Sequence, residues 1–251
     1  MKNEGMLEVL LVIIIIPLVS LLIGYFISQN VVEPNISKEE AKPQYITIKG
    51  IDGFEVVESV HGKYEEAKYR QDLLRLNGIF SFIEGDGEKY KVVIGLFLTK
   101  EEALEFAGLM SSKGITPEVY AKKSPYLKIK YDKNLTSEIE YFTNKLDEFQ
   151  QILGYISVLS FKSFNGSIEP QEVQELKRKV EVMNKDKKAF KEKEVEEISG
   201  EVDKIVQKIA DSVKLIEISS SLKDKNTFSL LQQLLWNSWG DYNNFLENIA
   251  K

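Results

Sequence analysis

The sequence predicts an α+β chain in three consecutive parts: an N-terminal transmembrane helix, a small βαββαβ unit of the split βαβ kind, and a C-terminal all-α helical bundle. Three observations predict it. Residues 7–28 form an almost uncharged apolar run. Between Phe54 and Tyr120 the chain repeats itself without a gap at a shift of 36 residues. From Asn134 onward, apolar residues recur at steps of three and four, the period of helices that pack on one another.

Composition narrows the function classes. The 251 residues are 43% hydrophobic and 29% charged, as in globular rather than disordered chains. The formal net charge of −6 argues against a nucleic-acid partner or an anionic lipid surface, which call for clustered Lys and Arg. Cysteine is absent, so disulfides, thiol catalysis and Cys-based zinc sites are excluded. With His61 as the only histidine, a catalytic triad or a His-rich metal site would have to be built around that residue alone. No metal and no cofactor is expected.

The elements follow in chain order. Met1–Met6 is a short polar tail, expected to be cytoplasmic. Leu7–Ser28 carries Glu8 at its entry and no other charge. About 20 apolar residues span a bilayer core as a helix, and Pro17 is tolerable there because neighbouring groups satisfy the freed carbonyl. The run exceeds the ~7–15 apolar residues of a signal peptide and lacks an Ala-x-Ala exit, so an uncleaved single-pass anchor is expected. An inside N-terminus places the rest of the chain outside the cytoplasm. Residues 29–43, with Pro34 and Pro43 and no apolar period, read as a linker.

Residues 44–123 hold the repeat. Phe54-Glu55-Val56-Val57 falls on Tyr90-Lys91-Val92-Val93, Glu65-Glu66-Ala67 on Glu101-Glu102-Ala103, and Asn77-Gly78-Ile79 on Lys113-Gly114-Ile115. Each copy reads as an apolar strand, a turn, an amphipathic helix and a Gly stop. The predicted elements are a strand over Phe54–Val60, a helix over Tyr64–Leu76 and a strand over Phe80–Ile83. After a turn at Gly85-Asp86-Gly87 come a strand over Tyr90–Phe97, a helix over Lys100–Ser112 capped by Thr99, and a strand over Glu118–Tyr120. Tyr45–Ile48 alternates and is either a short extra strand or a lead-in. Residues 124–133 read as a connector.

In the bundle, residues 134–251, the first seam runs from Leu135 to Ile156 and breaks at Asn165-Gly166. Glu169-Pro170 opens a short helix. A further seam runs from Val195 to Val213, and after a break at Asp224–Asn226 the last helix covers Phe228–Ile249 with Leu231, Leu234, Leu235, Trp239, Tyr242 and Phe245 apolar. Such seams suit a protein partner or a homodimer.

The repeat unit resembles the SPOR (sporulation-related repeat) domain of bacterial envelope proteins, here in a bitopic, membrane-anchored setting. The second copy carries the resemblance best, through Tyr90-Lys91-Val92-Val93-Ile94-Gly95-Leu96-Phe97, Ala103, Met110 and Gly114. The first keeps Ala67, Leu74 and Gly78, with Ser59 in place of the strand-end Gly and His61 in place of the Phe. The likeness covers about residues 53–121. It implies binding to peptidoglycan, specifically to glycan strands stripped of their stem peptides, and localisation to a division or sporulation septum.

Strand alternation identifies the residues that would line such a site. Tyr90, Val92, Ile94 and Leu96 are expected to face the helices; Lys91, Val93 and Gly95, with Glu55, Val57 and Ser59, are expected on the open face. Phe82 and Tyr120 are aromatics able to stack on a sugar or to fill the core. The glycan-binding set is therefore Glu55, Val57, Ser59, Lys91, Val93, Phe82 and Tyr120. The family often has Gln and Arg where this chain has Val57 and Val93. That departure opens a second reading: the open face is covered by another element such as Tyr45–Ile48, or by a partner, and the protein is an interaction scaffold. Alternation also turns Glu58 toward the helices, where an unpaired carboxylate is costly unless a bulge or the sheet's end releases it. No carboxylate pair stands in a catalytic setting, so an enzyme is not expected. RNA-binding domains share the topology, but their aromatic-rich basic strand is missing.

Overall fold

The computed structural model describes residues 16–28, 44–221 and 226–250. Their elements are α1 (Ile16–Ile27), β1 (Gln44–Lys49), β2 (Gly53–His61), α2 (Tyr64–Leu76), β3 (Phe82–Gly85), β4 (Tyr90–Phe97), α3 (Lys100–Ser112), β5 (Glu118–Lys122), β6 (Tyr126–Tyr131), α4 (Thr136–Phe164), α5 (Pro170–Lys185), α6 (Lys193–Ser221) and α7 (Asn226–Ile249). The fold is mixed α+β, mostly helical, with two small sheets. Two compact units can be distinguished, Met1–Tyr45 with Lys130–Asn134, and Ile46–Ile129 with Leu135–Lys251.

The predicted transmembrane run is described only from Ile16, where α1 covers 12 residues. Among the described residues no helix is long and apolar enough to cross a membrane. The polar tail, residues 7–15 of the run, and the linker over 29–43 lie outside the described residues.

The four-stranded sheet has the order β3-β4-β2-β5. Strands β2 and β4, the equivalent strands of the two repeat copies, form its central antiparallel pair. Both connecting helices end as their residues dictate. In each copy the Gly after the helix adopts positive φ, 72° at Gly78 and 83° at Gly114, a conformation open to Gly without penalty. The following amide then bonds back into the last turn, Ile79 N to Leu74 O and Ile115 N to Met110 O. Thr99 caps α3 by accepting a hydrogen bond from the Glu102 amide. Val56, Val92 and Ile94 bury against Ala67, Leu74, Ala103, Phe106 and Met110, so the helix side of the sheet is a continuous apolar core.

Two bulges depart from simple alternation. The β2–β4 register passes from Val56↔Gly95 to Val57↔Val93 and then to Ser59↔Val92. One extra residue thus sits in β4 at Ile94 and one in β2 at Glu58. The β4 bulge reverses the faces beyond it. A Cβ on Gly95 would meet the Phe97 and Phe106 rings, so Gly95 points to the core and not to the open face. Leu96, expected against the helices, lies on the opposite side, where its side chain is close to Gly53 and Trp239. Phe97 takes the core position instead. Glu58 keeps its helix-side direction but is paired there with Arg70 of α2, whose Nε lies 2.9 Å from Oε1.

The connector is not loop throughout. Tyr126–Tyr131 alternates well enough to form β6, which pairs with β1 in a two-stranded sheet, burying Ile48 and Ile129. Tyr45–Ile48, one of the elements read as a possible cover for the open face, thus belongs to a separate sheet, and the element packed against that face is α7.

Helices α4 to α7 bury the predicted seams. Phe142, Phe149, Leu153 and Ile156 of α4, Val202, Ile205 and Ile209 of α6, and Leu231, Leu235 and Tyr242 of α7 are all sealed from solvent; Phe245, expected in the last seam, is only partly buried, and Leu246 is in the core instead. Glu169 and Glu172 form a reciprocal capping box around Pro170 at the start of α5. The first turn of α7 also enters the sheet's core, with Phe228 packed on Phe106, Phe164 and Phe80.

Candidate functional site

The side of the sheet away from α2 and α3 carries Glu55 from β2, Glu84 from β3, Lys91 from β4 and Lys122 from β5, one charge from each strand. They meet over the sheet's centre. Lys91 Nζ lies 3.1 Å from Glu55 and 3.3 Å from Glu84, and Lys122 Nζ lies 3.3 Å from Glu55 and pairs directly with Glu84. Glu84 and Lys122 come from opposite edge strands, so the cluster bridges the full width of the sheet. Burial pushes the Glu55 carboxyl above its ordinary range, helped by the neighbouring Glu84 charge and opposed by the two lysines. Burial acts on Glu84 in the same sense, but the Lys122 and Lys91 contacts outweigh it and hold that carboxyl low. Glu55 Oε1 makes no well-angled hydrogen bond despite the nearby ammonium.

Helix α7 lies against this side. Beyond Val93, β3 no longer pairs with β4, and the open β4 edge is met by the Gln232 side chain. Its amide accepts from Leu96 N at 2.8 Å and donates to Leu96 O at 3.0 Å, reproducing the two bonds a strand would make. Farther along α7, Trp239 donates from Nε1 to Ile51 O, Asn243 bonds both the amide and the carbonyl of Ile51, and the Tyr242 hydroxyl donates to Lys49 O. Trp236 packs against Phe82, with ring centroids 3.8 Å apart and planes tilted by 43°. Lys122 Nζ lies 5.1 Å from the Trp239 ring centroid and 5.6 Å from that of Trp236, within cation–π range.

The seven residues read from the sequence separate into two groups. Glu55 (0% exposed), Val57 (3%) and Val93 (0%) are buried and offer no surface. Lys91, Phe82, Ser59 and Tyr120 retain access; Tyr120 is 39% exposed, with its hydroxyl hydrogen-bonded to Glu118 and its ring 5.7 Å from Lys91 Nζ. The Ser59 hydroxyl donates to Glu58 at 2.6 Å and lies 2.9 Å from His61 Nε2, which ties it to the Glu58–Arg70 pair. With its proton committed to Glu58, Ser59 is not set up as a nucleophile.

What remains accessible is a strip of Trp236, Phe82, Tyr120, Lys91, Lys122 and Glu84. Beside it a pocket of about 170 Å³ opens between Glu84, Lys122, Ser124, Trp239, Asn244 and Glu247. That is less than the ~300 Å³ of a typical ligand site, so it admits a single ring or side chain. Aromatic rings next to a Lys–Glu pair offer stacking and directional hydrogen bonds together. Sequence reasoning missed Trp236, Glu84 and Lys122. A signal was present for the first: Trp236 falls off the apolar seam of its own helix, so the bundle does not account for it. Among the described residues no group of acidic or histidine side chains is placed to hold a metal.

No protein-family model matches the chain, and no curated protein matches it. Among solved structures, the solution structure of the peptidoglycan binding domain of the B. subtilis cell wall lytic enzyme CwlC is similar to part of it. The identity is 20%, the match covers 30% of this chain and 96% of that chain, and the TM-score is 0.27. A likeness this loose carries no weight for function.

Proposed function

We propose that this is a non-enzymatic, membrane-anchored envelope protein that binds peptidoglycan glycan strands and so gathers at a division or sporulation septum. Residues 7–28 are the anchor and residues 29–43 the tether in this reading. The observation that carries it is the strip of accessible aromatic and charged side chains, with its charges Glu84, Lys91 and Lys122 contributed by three of the four strands. A glycan presents apolar C–H faces and hydroxyls alternately, and the strip offers rings for the first and Lys91, Lys122 and Glu84 for the second. The contact surface differs from the seven residues marked by alternation: it runs along Tyr120, Lys91, Lys122 and Trp236, and leaves out Glu55, Val57 and Val93.

The burial of those three residues favours a second reading, in which the sheet serves as the seat of α7 and the protein is an interaction scaffold, working with a partner or a second copy through its helices. Sedimentation of the full chain with purified sacculi, with and without amidase treatment, separates the two. Co-sedimentation that is stronger after amidase treatment and lost in Tyr120→Ala supports glycan binding. A chain that stays in the supernatant in both cases supports the scaffold.

A further inference from the structure

The two edges of the four-stranded sheet end differently. Past β3, the open edge of β4 is closed by the Gln232 amide of α7. At the opposite edge, β5 pairs with β2 alone. Among the described residues, the backbone of Glu118–Lys122 makes no hydrogen bond beyond that pairing. Such an edge keeps a row of amides and carbonyls able to receive a further strand. It is also approachable: Glu118, Tyr120 and Ala121 are exposed, and Val119 and Lys122 are half-buried.

The chain itself sets the length of an added ladder. Pro117, just before β5, has no amide to donate. Beyond Lys122, the Ser124 amide is taken by Asp52 at 3.0 Å, and Lys123 pairs with the same carboxylate. What remains is Glu118-Val119-Tyr120-Ala121-Lys122. This segment is complementary to an antiparallel copy of itself. Only a register centred on Tyr120 uses every residue, and it sets Glu118 opposite Lys122 of the second copy and Val119 opposite Ala121. Directly opposed residues share a face with Cβ atoms ~4.5–5.5 Å apart, so the Glu–Lys pair forms twice by symmetry. Sliding the register toward either end sets Glu118 against Glu118, or Lys122 against Lys122, which like charges disfavour. Within its own chain the Glu118 carboxylate accepts a hydrogen bond from the Tyr120 hydroxyl and, among the described residues, forms no ion pair.

We infer that two copies of this chain associate edge to edge through β5, with the two-fold axis at Tyr120, and join their sheets into one. Five residues a side, against the ~20–30 of a standard interface, make this a weak dimer. The inference needs only the open edge and its charge order, and does not rest on the glycan reading of the strip.

The chain has no cysteine, so introduced cysteines report the register without background. The test is mild oxidation of the full-length protein in detergent micelles, followed by non-reducing electrophoresis. Tyr120→Cys is expected to give a disulfide-linked dimer, because the residue faces itself across the axis. Glu118→Cys and Lys122→Cys are expected to crosslink when mixed and not when alone. Like residues then sit about 14 Å apart at ~3.4 Å per residue, beyond the ~7 Å Cα limit of a disulfide. Lys122 belongs to the charge cluster, so Val119→Cys mixed with Ala121→Cys supplies the same readout on the other face. An unchanged melting curve identifies the variants that keep the fold. Adding Glu118→Lys to Tyr120→Cys is expected to abolish the crosslinked dimer. Failure of Tyr120→Cys to crosslink overturns the inference, as does a dimer undiminished by Glu118→Lys. Crosslinking of Glu118→Cys alone as readily as in the mixture assigns association to residues 7–28 or the helices, and overturns it too.

Discussion

Toward α2 and α3, the four-stranded sheet presents Val56, Val92, Ile94 and Phe97 to an equally apolar helix surface. Toward α7 it presents Glu55, Glu84, Lys91 and Lys122, and the helix answers with Trp236, Trp239, Gln232 and Asn243. Both sides are covered, but by different chemistry. The first is closed mainly by area burial, which is non-directional, and its few polar groups are paired, Glu58 with Arg70 and Gln71 with Ser81 O. The second is closed by side-chain-to-backbone hydrogen bonds and by rings laid over cations. Each side chain there has a defined partner, and some remain open to solvent. The difference teaches where a ligand can enter. The strands' apolar face is sealed by the two helices, whereas a polar face partly covered by one helix keeps groups that exchange water for ligand hydroxyls.

The comparison breaks most readily at Trp239, which is 4% exposed. Trp239→Ala removes a buried indole together with its hydrogen bond to Ile51, and is expected to cost about 3–5 kcal/mol in urea unfolding. A cost under about 1 kcal/mol would mean that α7 does not seat on the sheet.

Next comes the Glu58–Arg70 ion pair on the side of α2 and α3. Burial acts to raise the Glu58 carboxyl, but the Arg70 and Ser59 hydrogen bonds outweigh it and hold the group below its usual range. A depressed carboxyl adds stability above the unfolded value of ~4.3, and that stability disappears as pH falls through the lower folded value. Arg70→Met is expected to cost about 1–2 kcal/mol at pH 7, less than for a fully buried pair because Arg70 is partly exposed. The difference from the parent chain should vanish in acid. A deficit that stays constant down to pH 2 would assign the effect to packing.

The smallest effect is expected on the polar side. Glu55 is held above the usual carboxylate range, so its ionisation weakens the fold above that raised value, and the penalty is absent below the unfolded value of ~4.3. Glu55→Gln should therefore be as stable as the parent or slightly more stable at pH 7, with the gap closing on acidification. A clear loss at pH 7 would make the Lys91–Glu55–Lys122 pairing a net stabiliser.

Much of this architecture was legible in local sequence. The repeat places α2, α3 and β4 at their observed limits, because strand period, Thr99 and the two Gly stops are short-range signals. Val57 and Val93 were legible as anomalies: two valines on a face expected to be polar point to a cover. What covers them was not legible. The contacts from α7 to the sheet join residues 136 positions apart at Leu96 and Gln232, and no periodicity encodes such a pairing. The bulge at Ile94 was equally silent, although Gly95 beside it is the kind of residue that lets a strand bend. A single inserted residue was enough to exchange the roles of Gly95 and Leu96.

The chain contains two tryptophans, and both belong to the helix surface that meets the polar side of the sheet. Intrinsic fluorescence therefore reports on the proposed glycan strip without a label. Titration of the full chain with amidase-trimmed glycan strands is predicted to give a saturable change in emission, lost in Trp236→Phe together with Tyr120→Ala. Emission that stays constant while the glycan is shown to bind, or while no binding occurs at millimolar sugar, would contradict the placement of the glycan on this face.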